Sequence, residues 1–143
     1  YAQHFVDIKK NTSSNNDRFI DFLKFALYRI IETAILYETQ AKASKDPTTK
    51  LLLYFLAGKK RVQHVILEII ATTNRGKPLP IPNYTTAKSY CNQNTVSLAD
   101  ASYDYIVQYA LNRAEKDCNL YSSLAALEED SSTKKLLLTL SRL

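Results

Sequence analysis

Apolar side chains recur at steps of three and four residues along the first third of the chain, which is the period of an amphipathic helix. The pattern predicts a helix from Asp17 to about Ser44. The polar residues before it favour a flexible N-terminal segment over 1–16, rich in side chains that cap helices. The positions on the inward face of this helix are Phe19, Leu23, Ala26, Ile30, Thr33, Tyr37 and Ala41.

The later elements follow from prolines and from the same helical period. Asp46-Pro47 ends the first helix and begins the second, because the fixed φ of proline suits a first helical turn. The second helix is predicted from about Pro47 to Thr73. Alternating prolines exclude a helix over 74–95, so a long crossover is expected there. A third helix is predicted from about Ser97 to Leu127, and a fourth from near Ser131 to Leu143.

The two halves of the chain repeat each other. Residues 26–56 align with residues 110–140 without a gap, and 12 of the 31 aligned positions are identical. The period of this repeat is far longer than that of a solenoid, so it indicates two helical hairpins related by duplication. The identical pairs include Ala26 and Ala110, Leu36-Tyr37 and Leu120-Tyr121, Asp46 and Asp130, Thr49-Lys50 and Thr133-Lys134, and Leu56 and Leu140.

Two hairpins joined by one long crossover are the plan of a ferritin-like, antiparallel four-helix bundle. The chain resembles the rubrerythrin branch of that superfamily over 17–73 and 97–143. The resemblance implies an all-α, single bundle domain over 17–143, with a short fourth helix. It is carried by Leu36-Tyr37-x-x-x-Ala41, Lys45-Asp46-Pro47, Lys50-Leu51-Leu52 and Phe55-Leu56-Ala57, and more weakly by Leu120-Tyr121-x-x-x-Ala125, Asp130, Leu136 and Leu140.

The resemblance also implies where a di-metal centre would have its ligands, and those ligands are lost. The first-helix and third-helix Glu positions fall on Ile30 and Ala114, and the second-helix Glu-x-x-His falls on Lys60 and Gln63. The fourth-helix pair would lie beyond Leu143. Two dications in an apolar core need several carboxylates, which these residues do not supply. We therefore expect no di-metal centre and no cofactor.

A relocated metal site is the alternative, and it would make the protein a di-iron or di-manganese peroxidase or oxidase. His64 and Glu68 are four residues apart, so they share one helix face. Glu115 and Asp117 are the other candidate ligands, on the third helix. Glu32 is about 200° around the helix from Ile30 and is expected to point away from the core.

Three further residues have a predicted place in the core. Tyr37 and Tyr121 are equivalent by the repeat and are expected to fill the bundle interior. Cys118 takes the position of Ala34, so a small buried thiol is expected there. Cys91 belongs to no motif, and two cysteines cannot make a disulfide framework.

Composition and charge add little to the functional picture. The chain has 143 residues, of which 45% are hydrophobic, and a net charge of +5. These values fit one soluble, cytoplasmic domain with reduced thiols and no membrane partner. The run Lys59-Lys60-Arg61 is a candidate anion-binding site, although a solvated basic face explains it as well. A basic nucleic-acid-associated module is a further alternative, from Tyr84, Lys88 and Tyr90 in the crossover, but nucleic acid is not the favoured partner.

The short fourth helix is expected to leave part of the second helix uncovered. The apolar side chains concerned are Val62, Val65, Ile66, Ile69 and Ile70. Residues beyond 143, the N-terminal segment with Phe5, Val6 and Ile8, or a second copy of the chain could cover them. A homodimer is the favoured solution, and an unidentified protein partner remains open. The sequence as a whole thus favours a non-catalytic bundle that acts in assembly or partner binding.

Overall fold

The computed structural model describes residues 15–75 and 97–143. This part of the chain forms four helices and no strand, so the all-α class is confirmed for it. The helices are α1 (Asn15–Ala43), α2 (Pro47–Arg75), α3 (Tyr103–Leu127) and α4 (Ser131–Ser141). Residues 1–14 and 76–96 lie outside the described residues, and with them most of the predicted crossover over 74–95, including Tyr84, Lys88, Tyr90 and Cys91. The exclusion of a helix is wrong at Asn74 and Arg75, which belong to α2, because the first of the alternating prolines, Pro78, comes only after them.

The predicted start of the third helix at Ser97 is wrong, since α3 begins at Tyr103. The reason is a tertiary contact with α1. The backbone N–H groups of Leu98 and Ala99 donate to Oε1 of Gln40, at 2.8 and 3.0 Å. Ser102 then caps the helix, because its hydroxyl accepts from the N–H of Tyr105 at 3.2 Å.

The two helix–helix turns are built alike, at equivalent positions of the repeat. Oδ2 of Asp46 accepts from the N–H and from the hydroxyl of Thr49, both at 2.9 Å. Oδ2 of Asp130 accepts from the same groups of Thr133, at 3.0 and 2.7 Å. The preceding helices end at Ala43 and Leu127, which are also equivalent by the repeat. The repeat seen in the sequence therefore extends to the helix boundaries and their caps.

The described residues group into two compact units. One contains 27–75 and 97–112, and the other contains 15–26 and 113–143, so α1 and α3 divide their residues between the units. A single bundle domain over 17–143, with its antiparallel arrangement, stays a prediction. The core of the first unit is formed by Tyr37, Ala41, Leu53, Ala57, Leu98 and Ile106.

The other unit has its own buried set, on both sides of the α3–α4 turn. Tyr121, Leu124 and Ala125 are buried on α3, and Leu136 and Leu137 are buried on α4. No residue of 113–120 is buried. Because α4 has only 11 residues, it covers only the last turns of α3.

None of the helices within 15–75 and 97–143 combines the length and the apolar content that crossing a bilayer requires.

Candidate functional site

The two positions on α2 where the family resemblance would place metal ligands hold a lysine–glutamine pair. Nζ of Lys60 donates to Oε1 of Gln63 at 3.1 Å, one turn apart on the helix. Ile30 is a core side chain at 8% exposure, whereas Ala114 is exposed. These residues offer one cation, one amide and two hydrocarbon side chains where a di-metal centre needs carboxylates and imidazoles.

The candidate ligands for a relocated metal site form one pair. Nε2 of His64 lies 3.5 Å from Oε1 of Glu68, and each side chain is 25% exposed. Glu115 is exposed and Asp117 is half-buried, and both belong to the unit that contains 113–143. Within the part of the chain that the structure describes, no three His, Cys, Asp or Glu side chains form a group that could hold a metal ion.

The basic run Lys59-Lys60-Arg61 has a different neighbour for each of its side chains. Nζ of Lys59 lies 6.0 Å from the centre of the Phe55 ring, within the range of a cation–π contact. Lys60 bonds Gln63 as described above. Nε and Nη2 of Arg61 donate to the two carboxylate oxygens of Glu38, at 2.9 and 3.0 Å. This bidentate fork joins α2 to α1, so one of the three cations already has a carboxylate partner within the chain.

The expected outward position of Glu32 is wrong, because its side chain is only 3% exposed. The argument from helix rotation assumes that one side of the helix faces water. All eight residues of 30–37 are buried, so α1 has no solvent face at this level. The hydroxyl of the neighbouring Thr33, also buried, donates to the carbonyl of Arg29 at 2.8 Å.

The expected burial of Cys118 is also wrong, whereas that of the two tyrosines is confirmed. Cys118 is exposed, although Ala34, its equivalent by the repeat, is fully buried. Cys118 lies within 113–120, a stretch of α3 in which no residue is buried. Tyr37 and Tyr121 are both buried, and the Tyr37 ring meets the edge of Tyr109 at 6.5 Å between centroids.

The most distinctive surface of the described residues is an apolar line along α2. We call this line the outer stripe; it consists of Leu51, Phe55, Gly58, Val62, Val65 and Ile69. Its five large side chains are 58% to 72% exposed. The prediction of an uncovered stretch beyond Lys60 is therefore confirmed for Val62, Val65 and Ile69, whereas Ile66 and Ile70 are half-buried.

The opposite side of α2 is buried in the core of its unit. Leu53, Ala57, Leu67 and Ala71 are at most 2% exposed. α2 is thus apolar on two faces, of which one packs inside and the other meets water. Sequence reasoning missed the first half of the outer stripe, from Leu51 to Gly58. The signal was available, because the steps of four and three begin at Leu51.

No family model, curated protein or solved structure matches this chain.

Proposed function

We propose that the protein is a non-catalytic, ferritin-like antiparallel four-helix bundle that has lost its di-metal site and acts in assembly or partner binding. The observation that carries the proposal is the outer stripe of α2, which offers five large apolar side chains to solvent. Contiguous apolar surface of this extent on a folded protein usually marks an interaction site.

The energetics favour a covered stripe. Full burial of one large apolar side chain contributes about 1.5–3 kcal/mol. Association has costs of its own, from lost rotational and translational freedom, on the order of 4–15 kcal/mol. Because the five side chains are 58% to 72% exposed, covering them contributes about 5–9 kcal/mol, which offsets the lower part of that range, whereas one or two such side chains do not.

The donor set argues against an enzyme of the di-iron type. The Lys60–Gln63 hydrogen bond occupies the two positions that would have to supply a carboxylate and an imidazole on α2. The His64–Glu68 pair gives one nitrogen and one carboxylate, which is short of the ligands that two metal ions need. We therefore propose no metal cofactor.

The function is tested by photo-cross-linking in cells that make the chain. A benzophenone amino acid replaces Val65 in one variant and Leu111, an equally exposed residue of α3, in the control. We expect adducts from position 65 only, and we expect Val62→Asp in the same chain to abolish them. Equal adducts from both positions, or adducts that survive Val62→Asp, contradict a binding role for the outer stripe.

The absence of a di-metal centre has its own measurement. Protein purified without chelator is analysed for iron and manganese, and we expect less than one metal ion per chain. Two tightly bound ions per chain would overturn the non-catalytic assignment. In that case Glu68→Gln would show whether the His64–Glu68 pair takes part in binding.

A further inference from the structure

We infer that the outer stripe of α2 docks against the same stripe of a second copy of this chain, with the two α2 helices antiparallel about a two-fold axis between Gln63 and His64. This inference rests on the proposed function, since it names the partner of that surface. Three properties of the stripe lead to it: its period, the place of Gly58, and the order of charges along its flank.

The period of the outer stripe is that of a two-helix seam. With the exposed Thr72 that continues the series, its residues recur at steps of four, three, four, three, four and three, a mean of 3.5. A repeat of 3.5 residues keeps one line of side chains facing a single partner helix. The stretch from Leu51 to Thr72 corresponds to about 33 Å of helix.

Packing among the residues that the structure describes does not explain Gly58. A Cβ added to it would meet no atom within 4 Å, so internal packing does not require a glycine there. Glycine is also the residue that helix interiors favour least after proline. What the glycine does create is a notch in the stripe, where the backbone of another helix or a bulky side chain can come close.

Antiparallel pairing places a large side chain at that notch. With the axis between Gln63 and His64, Gly58 faces Ile69 of the second copy, and Val62 faces Val65. Phe55 then faces Thr72. Each contact occurs twice because a two-fold interface is self-complementary. The stripe therefore carries both the notch and, three helical turns further along, the side chain that fills it.

The charges on the flank select the antiparallel direction. Lys59, Lys60 and Arg61 lie in the first half of α2, and Glu68 lies in the second half. Antiparallel pairing brings Arg61 next to Glu68 of the second copy. Parallel pairing would bring the two basic runs together, and like charges in register are unfavourable. Arg61 can donate to Glu38 of its own chain and to Glu68 of the second copy at the same time, because a guanidinium has five N–H donors and Glu38 takes two.

The exposed apolar area of the outer stripe also agrees with the size of a standard protein–protein interface. The five large side chains are 58% to 72% exposed and Tyr54 beside them is 42% exposed. Together they provide an area of the order of the about 800 Å² that each partner buries in a standard interface. A second copy thus covers the surface that one chain leaves in water.

The first experiment measures self-association by sedimentation equilibrium of the full chain at micromolar concentration. We expect a species of about twice the 16.3 kDa of one chain. Val65→Asp should yield monomer, whereas Leu111→Asp, at a site of the same 58% exposure, should leave the dimer intact. Circular dichroism of each variant establishes that its helices remain.

Gly58→Leu gives a second test that does not depend on a charged residue in an apolar line. The leucine would meet no atom of the described residues within 4 Å, so the helical circular dichroism spectrum should be kept. It removes the notch, so the dissociation constant should rise at least tenfold. A dimer that tolerates both Gly58→Leu and Val65→Asp overturns the inference.

Direction is measured with spin labels at Lys50→Cys, in a chain whose Cys91 and Cys118 are replaced by serine. Lys50 is exposed near the start of α2. Antiparallel pairing predicts about 40 Å between the two labels, from a rise of 1.5 Å per residue. Parallel pairing predicts about 10 Å, the spacing of packed helices, and that result overturns the inference.

The outcomes also separate this inference from the function it rests on. If the chain stays monomeric at 100 µM while position 65 gives cellular adducts of another mass, the second copy is wrong and the binding surface stands. If position 65 gives no adduct and the chain is monomeric, both fail. If the N-terminal segment, with Phe5, Val6 and Ile8, covers the outer stripe instead, the chain is a monomer in sedimentation and gives no adduct from position 65. That result contradicts the inference.

Discussion

Single residues define the ends of the helices, and Asp46 shows how. Its carboxylate accepts two hydrogen bonds from Thr49, one from the backbone N–H and one from the hydroxyl. These bonds, the backbone one first, hold the pKa of the Asp46 carboxyl below its ordinary value. The charged form is therefore the one that the folded chain stabilises.

The pH dependence of stability follows from that direction. A carboxyl whose pKa is lowered on folding stabilises the native state above its unfolded pKa and loses that contribution as pH falls through the folded value. Asp46→Asn keeps a capping oxygen but has no carboxyl to protonate. We therefore expect this variant to lose less stability than the parent chain as the pH falls below about 5. Urea unfolding at a series of pH values measures this difference. Parallel curves for the two proteins would contradict the role of the carboxylate.

Burial of single residues was harder to predict than capping. Asp46 and Asp130 were identified as helix boundaries because a cap depends on residues three or four positions away. The burial of Glu32 and the exposure of Cys118 were not foreseen, because each depends on what packs against the helix from elsewhere. Periodicity tells which side chains share a face, but it does not tell how many faces are covered.

At the scale of elements, the correctly predicted helix boundaries depend on residues close in the sequence, whereas the wrong one depends on a distant residue. The turns at 44–46 and 128–130 were predicted from Asp, Pro and the internal repeat, all of which can be read directly from the sequence. The start of α3 was wrong because Gln40, 58 residues earlier, takes the N–H groups of Leu98 and Ala99. A hydrogen bond between distant segments leaves no period in the sequence.

The short α4 should depend on its cap more than the long α2 does. A helix as short as α4 is marginal in water when isolated, so its first turn needs the bonds that Asp130 accepts from Thr133. We expect Asp130→Ala to lower the free energy of unfolding by about 1 kcal/mol. Chemical denaturation measures the change, and Ser132→Ala, at an exposed position of the same turn, is the control. A loss no larger than that of the control would contradict the expectation.

For the whole molecule, helix content is the quantity that tests the fold class. The four helices contain 29, 29, 25 and 11 residues. Together they are about two thirds of the chain, twice the average for soluble proteins. We expect far-ultraviolet circular dichroism to give at least that fraction of helix. A value under one half would contradict the all-α assignment.

The fold class and the exposed stretch of α2 could thus be predicted from the sequence. For the di-metal site that the family resemblance implies, the sequence only allowed a check of whether the residues at the ligand positions can bind a metal ion. Ile30, Lys60 and Gln63 already show side chains unfit for a di-metal centre, and the hydrogen bond between Lys60 and Gln63 explains how the two polar ones are accommodated. The first half of the outer stripe was missed because Leu51 and Phe55 were considered only as part of the family resemblance.

The two apolar faces of α2 have a consequence for the way the chain folds. A helix that is apolar on both sides can be packed in either of two rotations, about half a turn apart. The correct rotation buries the slim leucine and alanine side chains at 53, 57, 67 and 71, and it alone lets Arg61 reach Glu38. We expect that ion pair to favour the native rotation of α2 over the inverted one, in which the guanidinium would lie on the far side of the helix from Glu38.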